Sequence, residues 1–418
     1  MRKKTLMGAV AGTVAVASAA TLILLPSGGE STVAAPNSFG AVSTPNITPH
    51  TGKSGADNVP AAGVAASAKK NVKDGSREAT AETALSPAAG EIRPAAPSIP
   101  MLPAHPDAAA PAEPEQPAEI CDPGDETVSE GVQECHFASA SMGRDVKVEV
   151  LPAKKPNAPI LYLLDGLITF NENNAWLTQS ADLASINNGD VNLVGVVAPS
   201  ASFYTNWVGT QFGQVANWET FLMDELPGEL QKQFRADPNT LGTMGMSMGG
   251  FAATNLAARH PDKVDAVYSL SGYYDFTDPL VAPSVMKALS AQNPEIEQNM
   301  WGPYQQNKEL WQSNMPRLNA ENLTMPMRVF TAGGGRPIDA PMDNLIDAWV
   351  TRSPMETASM IQTNQFMTAL RQSGNEGNVQ RVHETIGAHE WHTWKKDAHN
   401  GGFQWIVDRL VEAQSDNN

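Results

Sequence analysis

The stretch Thr240-Leu241-Gly242-Thr243-Met244-Gly245-Met246-Ser247-Met248-Gly249-Gly250 runs directly into Phe251-Ala252-Ala253-Thr254-Asn255-Leu256-Ala257-Ala258-Arg259-His260. A short apolar run leads into Gly245-Met246-Ser247-Met248-Gly249, which has the form G-x-S-x-G, and a helical pattern of small residues follows. Strand, sharp turn and helix in that order are the setting of a nucleophile elbow. The glycines permit the turn and the close approach of neighbouring backbone. The turn lifts the Ser247 hydroxyl above the sheet and aims the Met248 N–H, with the helix N-terminus, at a reacting carbonyl. The bare pentapeptide also fits a glycine-rich turn with a capping serine; the flanking strand and helix favour the elbow.

On the N-terminal side of the elbow, ILYLLDGL (160–167) and VNLVGVVAP (191–199) are short apolar runs bounded by turn residues. On its C-terminal side come VDAVYSLSG (264–272), MRVFTAGGG (327–335) and VQRVHETIG (379–387). Helical segments fall between them, among them WETFLMDELPGELQKQF (218–234) and the stretch after Glu356. Apolar strands alternating with helices predict an α/β domain, with a mostly parallel central sheet covered by helices on both faces. One α/β-hydrolase domain over 120–418 accounts for this pattern.

The rest of the 418-residue chain is different in kind. Arg2, Lys3 and Lys4 precede an apolar or small stretch from Leu6 to Leu25, so residues 1–35 read as an export signal, either a cleaved peptide or a retained anchor. Residues 36–119 are rich in Ala, Pro, Ser and Gly and nearly free of aromatics. Such a segment buries too little apolar surface to offset its chain entropy, so it reads as a disordered spacer, with a coil reach of roughly 50 Å. The two cysteines, Cys121 and Cys135, are read as one disulfide in an exported chain. A net charge of −17 argues against nucleic acid, which needs a basic face.

A reactive serine needs a base, and this fold orders its triad Ser, acid, His. GAHEWHTW (387–394) follows the last strand and offers His389 and His392. His389 sits in the expected loop, whereas His392 lies nearer the terminal helix and reads as a surface or pocket-lining residue. His383 and His399 read as structural, and His260 as a cap on the helix after the elbow. Asp339, Asp343, Asp347 and Glu356 all lie where the acid belongs, and pattern alone does not separate them. The second oxyanion donor belongs in the loop after an early strand, which points to the Leu167 N–H in Leu163-Leu164-Asp165-Gly166-Leu167. No cofactor or metal is implied: Gly333-Gly334-Gly335 lacks a phosphate-binding lysine, and two cysteines do not make the usual zinc site. Trp176, Trp207, Trp218, Trp301 and Trp391 are candidates for an acyl or sugar groove, against the plainer reading of each as packing.

The segments SMGRDVKV (141–148), YLLDGL (162–167), SFYTNW (202–207), WETFLMDELP (218–227), GMSMGG (245–250), SLSGYYD (269–275), MWGP (300–303) and HEWHTW (389–394) occur in one order that is specific as a set. In that order the domain resembles the antigen-85-type mycolyltransferases, within the esterase D-like α/β-hydrolases. The resemblance implies Ser247 as nucleophile, His389 as base and Glu356 as acid. The choice of acid follows from the family spacings of ten and twenty-three residues among Glu356, Phe366 and His389. It also implies Leu167 and Met248 as oxyanion donors, Asp165 beside a sugar site and Trp391 at the family's tryptophan. Where the family reads D-G-L-R-A, this chain has Asp165-Gly166-Leu167-Ile168-Thr169, so the arginine contact to acceptor and acyl chain is not carried over. The spacer and the cysteine pair look more like corynebacterial relatives.

The implied activity is transfer of a mycolyl or corynomycolyl chain from a trehalose mycolate-type glycolipid to a sugar or protein acceptor in the cell envelope. The same triad fits a secreted carboxylesterase. A third reading is a non-catalytic envelope binding protein, since some relatives on this fold lack a working triad.

Overall fold

In β4 (Ile160–Leu164) every residue is buried, which requires cover on both faces of the strand. Ile160, Tyr162 and Leu164 join one apolar core, and Leu161 and Leu163 join the other. A computed structural model describes residues 120–124, 127–169, 172–180, 183–279, 282–333 and 351–417. The expected signal (1–35) and spacer (36–119) lie outside the described residues.

Nine strands form one sheet among the described residues. They are β1 (Cys121–Pro123), β2 (Gln133–Ser139), β3 (Arg144–Leu151), β4, β5 (Asn192–Val196), β8 (Leu241–Met246), β9 (Ala266–Leu270), β10 (Met327–Ala332) and β11 (Val379–Glu384). Their spatial order is β1-β2-β3-β5-β4-β8-β9-β10-β11. From β5 to β11 all neighbours are parallel, and β1 to β3 form an antiparallel edge. A separate hairpin pairs β6 (Asn206–Gln211) with β7 (Gln214–Asn217). This is the α/β-hydrolase arrangement expected from the strand and helix alternation.

The helices that matter for the site are α1 (Ala175–Gln179), α2 (Leu226–Phe234), α3 (Met248–Arg259), α4 (Ser353–Ser373), α5 (Trp391–Asp397) and α6 (Phe403–Asn417). The core on one face takes Phe251 and Leu256 from α3 and Phe366 and Leu370 from α4. The other takes Trp394 from α5 and Phe403, Ile406 and Leu410 from α6. The segment expected as a single helix over 218–234 widens to a π-turn at Phe221–Glu225 before α2. Pro227 supplies no N–H to the preceding turn, which accounts for the local change of register.

Cys121 and Cys135 are bonded, and they face each other in the β1–β2 register. The bond holds a three-residue edge strand, Cys121–Pro123, that has little burial of its own.

Candidate active site

The elbow depends on three glycines. A Cβ at Gly245 would stand 2.4 Å from the Gly249 backbone, and one at Gly249 would stand 2.2 Å from the Leu164 carbonyl oxygen. A Cβ at Gly250 would meet the Leu270 carbonyl oxygen at 2.9 Å. Only hydrogen fits at the first two positions, so the turn can press between β4 and β9. Ser247 itself takes φ 54° and ψ −115°, a strained backbone for a residue with a side chain. Its N–H donates to Leu270 O at 2.8 Å, which fixes the turn on the neighbouring strand.

Ser247 Oγ lies 2.7 Å from His389 Nε2, and His389 Nδ1 lies 2.8 Å from Glu356 Oε2. The three residues come from the β8–α3 turn, the first turn of α4 and the loop before α5. Ser247 and His389 are 6 and 7 % exposed, and Glu356 is fully buried. Glu356 sits in the first turn of a helix rather than in a loop. Its remaining oxygen is held on two sides: Oε1 accepts the Ser271 hydroxyl at 2.8 Å and the Ala332 N–H at 2.7 Å. Asp339, Asp343 and Asp347 fall outside the described residues.

A buried polar stripe explains how α4 brings Glu356 there. Ser359 donates to Gly272 O, and the Gln362 carbonyl oxygen accepts the Tyr274 and Asp275 N–H groups while its amide donates to Asp275 O. Glu356, Ser359 and Gln362 recur at helical spacing on one face, so the helix docks on the 271–275 turn through polar contacts in a fixed register.

Ser271 and Trp394 received no role from the sequence, although both lie in quoted segments. Ser271, at φ 47°, donates to Glu356 and accepts the Trp394 indole N–H at 3.0 Å. The Trp394 ring also stands edge-on to His389, with centroids 5.0 Å apart. The signal was available: a second serine immediately after a strand, at the C-terminal end where this fold gathers its chemistry.

The loop carrying Leu167 packs against the elbow. A Cβ at Gly166 would lie 3.9 Å from Ser247 Cβ. Among the described residues, neither the Leu167 nor the Met248 N–H donates to a protein acceptor. The segment after β5 buttresses this loop. Ala201 N–H donates to Leu167 O, and Tyr204 Oη accepts the Asp165 N–H at 2.9 Å. Ala201, Phe203 and Tyr204 all have positive φ, so the buttress is itself strained.

Asp165 turns inward: it is 2 % exposed, and its carboxyl group accepts the Ala175 N–H at the start of α1. Burial pushes it up to about 8; the Ala175 N–H opposes the shift and Glu149 adds to it. Glu149, buried behind it, is raised to about 7, chiefly by burial. Asp165 therefore ties the Leu167 loop to α1. Trp391 is half-buried against Trp176 and Trp394. Trp176, Trp207, Trp218 and Trp301 are all buried, which favours packing over a groove. His260 is the C-cap of α3, its backbone N–H donating to Leu256 O at 2.8 Å, and its ring pairs with Glu219 at 2.8 Å. His383 contacts Thr331 on the sheet edge, and His392 is exposed.

Among the described residues, no group of three His, Cys, Asp or Glu side chains is arranged to hold a metal ion. No helix of the described residues is long and apolar enough to cross a membrane.

A strained serine, an imidazole and an oriented carboxylate in one hydrogen-bonded row can deprotonate the serine and return its proton to a leaving group. Known proteins similar to this chain include esterases and acyltransferases. Residues 139–399 match the family described as putative esterase. The diacylglycerol acyltransferase/mycolyltransferase Ag85A of Mycobacterium tuberculosis is 30 % identical over 269 residues, covering 63 % of this chain and 77 % of that protein. Its Mycobacterium leprae counterpart is 29 % identical over 63 % of this chain and 79 % of that protein. The crystal structure of Mycobacterium tuberculosis MPT51 superposes with a TM-score of 0.56 at 23 % identity, covering 66 % of this chain and 97 % of that one.

Proposed function

This chain belongs to the putative esterase family and, within it, to the antigen-85-type mycolyltransferases, and on that premise we propose that it is an exported serine acyltransferase of the cell envelope. The donor is a trehalose monomycolate-type glycolipid, and the acceptor is a hydroxyl of a second glycolipid, an envelope polysaccharide or a protein. The observation that carries this reading is the row of contacts Ser247–His389–Glu356, at 2.7 and 2.8 Å.

His389 takes the Ser247 proton as Oγ bonds to the donor's ester carbon. The Leu167 and Met248 N–H groups, which have no protein acceptor among the described residues, stabilise the oxyanion. The ester C–O bond to the sugar then breaks, and His389 hands its proton to the departing sugar oxygen. In the second half the acceptor hydroxyl gives its proton to His389 and attacks the acyl-enzyme, and Ser247 is regenerated. Glu356 holds the imidazole with Nδ1 protonated throughout. Water in place of the acceptor would give hydrolysis by the same steps, so exclusion of water at the acyl-enzyme decides the product. Ile168 in place of the family's arginine leaves acceptor recognition to other groups.

The test is incubation of the purified protein with trehalose monomycolate, with and without trehalose, arabinogalactan or protein acceptors, followed by lipid analysis. Acyl transfer that scales with acceptor supports the proposal; release of free mycolic acid alone, whatever the acceptor, would replace it with an esterase.

A further inference from the structure

The β6–β7 hairpin stands apart from the main sheet, its strands pairing only with each other. Trp207, Gln211 and Ala216 face the domain and are buried, whereas Val208, Thr210, Phe212 and Val215 face outward. Val208, Phe212 and Val215 are 60, 53 and 48 % exposed, the three most exposed large apolar side chains among the described residues. Between Asp190 and Glu219 the sequence contains no Asp, Glu, Lys, Arg or His. Apolar side chains grouped this way on a surface mark a contact site.

The turn gives an independent sign. Gln211 pairs with Gln214, which leaves Phe212-Gly213 as a two-residue loop with φ 51° and 78°. Tight hairpin turns with positive φ at both positions are normally Asn-Gly, Asp-Gly or Gly-Gly. A bulky ring at the first position strains the backbone, and the domain's own packing gains little from a ring left in solvent.

The hairpin is also firmly joined to the mouth of the candidate site. The Gln211 amide donates to Ser200 O at 3.1 Å, and Ser200 Oγ accepts the Thr169 N–H at 3.0 Å. Ile168, between Thr169 and Leu167, is itself exposed. From below, Asn299 donates to Thr210 O, and Trp218 donates to Gln211 Oε1.

We infer that the β6–β7 hairpin, with Ile168, is a docking device that seats the candidate site on a lipid surface lacking net negative charge. A protein partner would be met by an interface with a polar, hydrogen-bonding rim and Arg or Tyr anchors. Here the hairpin's own outward side chains are apolar or neutral polar, the composition that enters an acyl-headgroup boundary, and the Arg144 guanidinium beside them is engaged by Val215 O and the Trp218 ring. The chain's net charge of −17 opposes anionic headgroups, which selects zwitterionic or neutral glycolipid surfaces. The inference rests on the proposed acyl transfer only for why a lipid surface should lie there.

The experiment uses the full chain with Thr210→Cys, labelled at that position with the environment-sensitive fluorophore NBD; the native cysteines are engaged in their disulfide. Phosphatidylcholine vesicles should shift the emission to the blue and enhance it. The same label at Val411→Cys, on α6, should not respond, which separates hairpin insertion from tethering by the N-terminal segment. Val208→Ser, Phe212→Ser and Val215→Ser together should weaken the response about tenfold or more per side chain removed. Phosphatidylglycerol vesicles should give a weaker response than phosphatidylcholine. The Ser247→Ala background should respond like the parent, so failure of the catalytic proposal leaves this result standing. No response at position 210 overturns the inference. A vesicle-independent shift that grows with protein concentration also overturns it, in favour of a second copy of this chain.

Discussion

Replacing Glu356 by Gln changes one atom in a fully buried position, and its consequence can be worked through atom by atom. The Gln carbonyl oxygen can take the place of Oε1 and keep the Ser271 and Ala332 donors. Its amide nitrogen then faces His389 Nδ1 at about the present 2.8 Å. An N–H donor there requires Nδ1 to be unprotonated, which puts the imidazole proton on Nε2, pointing at Ser247 Oγ 2.7 Å away. In that tautomer His389 cannot accept the serine proton, and the imidazolium formed during reaction also loses its counter-charge. Loss of tautomer control in a triad lowers kcat by on the order of 10⁴, which is about 5.5 kcal/mol of transition-state stabilisation. Folding should change far less, by about 1 kcal/mol, because the contacts to Oε1 are retained. Steady-state hydrolysis of a p-nitrophenyl short-chain ester, run beside thermal melts, measures both quantities. A Glu356→Gln enzyme within tenfold of the parent in kcat, with an unchanged melting temperature, would refute the orienting role.

Gly249→Ala drives a Cβ into the Leu164 carbonyl; stability should fall by more than about 4 kcal/mol, and a soluble variant with parental melting and activity would contradict the close packing. Asp165, raised to about 8 by burial, ionises near the ordinary 3.8 in the unfolded chain. The folded state therefore keeps a proton that the unfolded state releases, and this stability is full below about pH 4 and lost as pH rises through about 8. Asp165→Asn, which does not titrate, should gain in melting temperature over the parent between pH 5 and pH 9; a gap that stays constant with pH rejects the assignment. Reduction of Cys121–Cys135, or Cys→Ala at both positions, should remove up to about 3 kcal/mol. Hydrogen exchange should rise at residues 121–124 while ester turnover persists, and loss of turnover would mean the edge strand reaches the site.

The fold was readable because each buried parallel strand is a short apolar run, and the elbow carries its glycines where no other residue fits. Ser247 and His389 were legible from local pattern, since a turn between strand and helix and a loop after the last strand each leave few choices. Glu356 was not separable from three aspartates by local pattern, because what selects it is tertiary: Ser271, Ala332 and the polar face of α4 converge on its carboxyl group. Family spacing supplied that information in place of geometry. The bond from Ala175 to the Asp165 carboxyl group was likewise not legible, since it joins a loop to a helix start ten residues further on. The buttress at Ala201–Tyr204 was invisible, because positive φ at non-glycine residues leaves no sign in sequence.

Intact-protein and peptide mass spectrometry after treatment with a fluorophosphonate tests the central claim most directly. The account predicts a single adduct, located on Ser247, that is absent from Ser247→Ala and strongly slowed in His389→Ala. An unlabelled parent enzyme, or an adduct that survives Ser247→Ala, would contradict it.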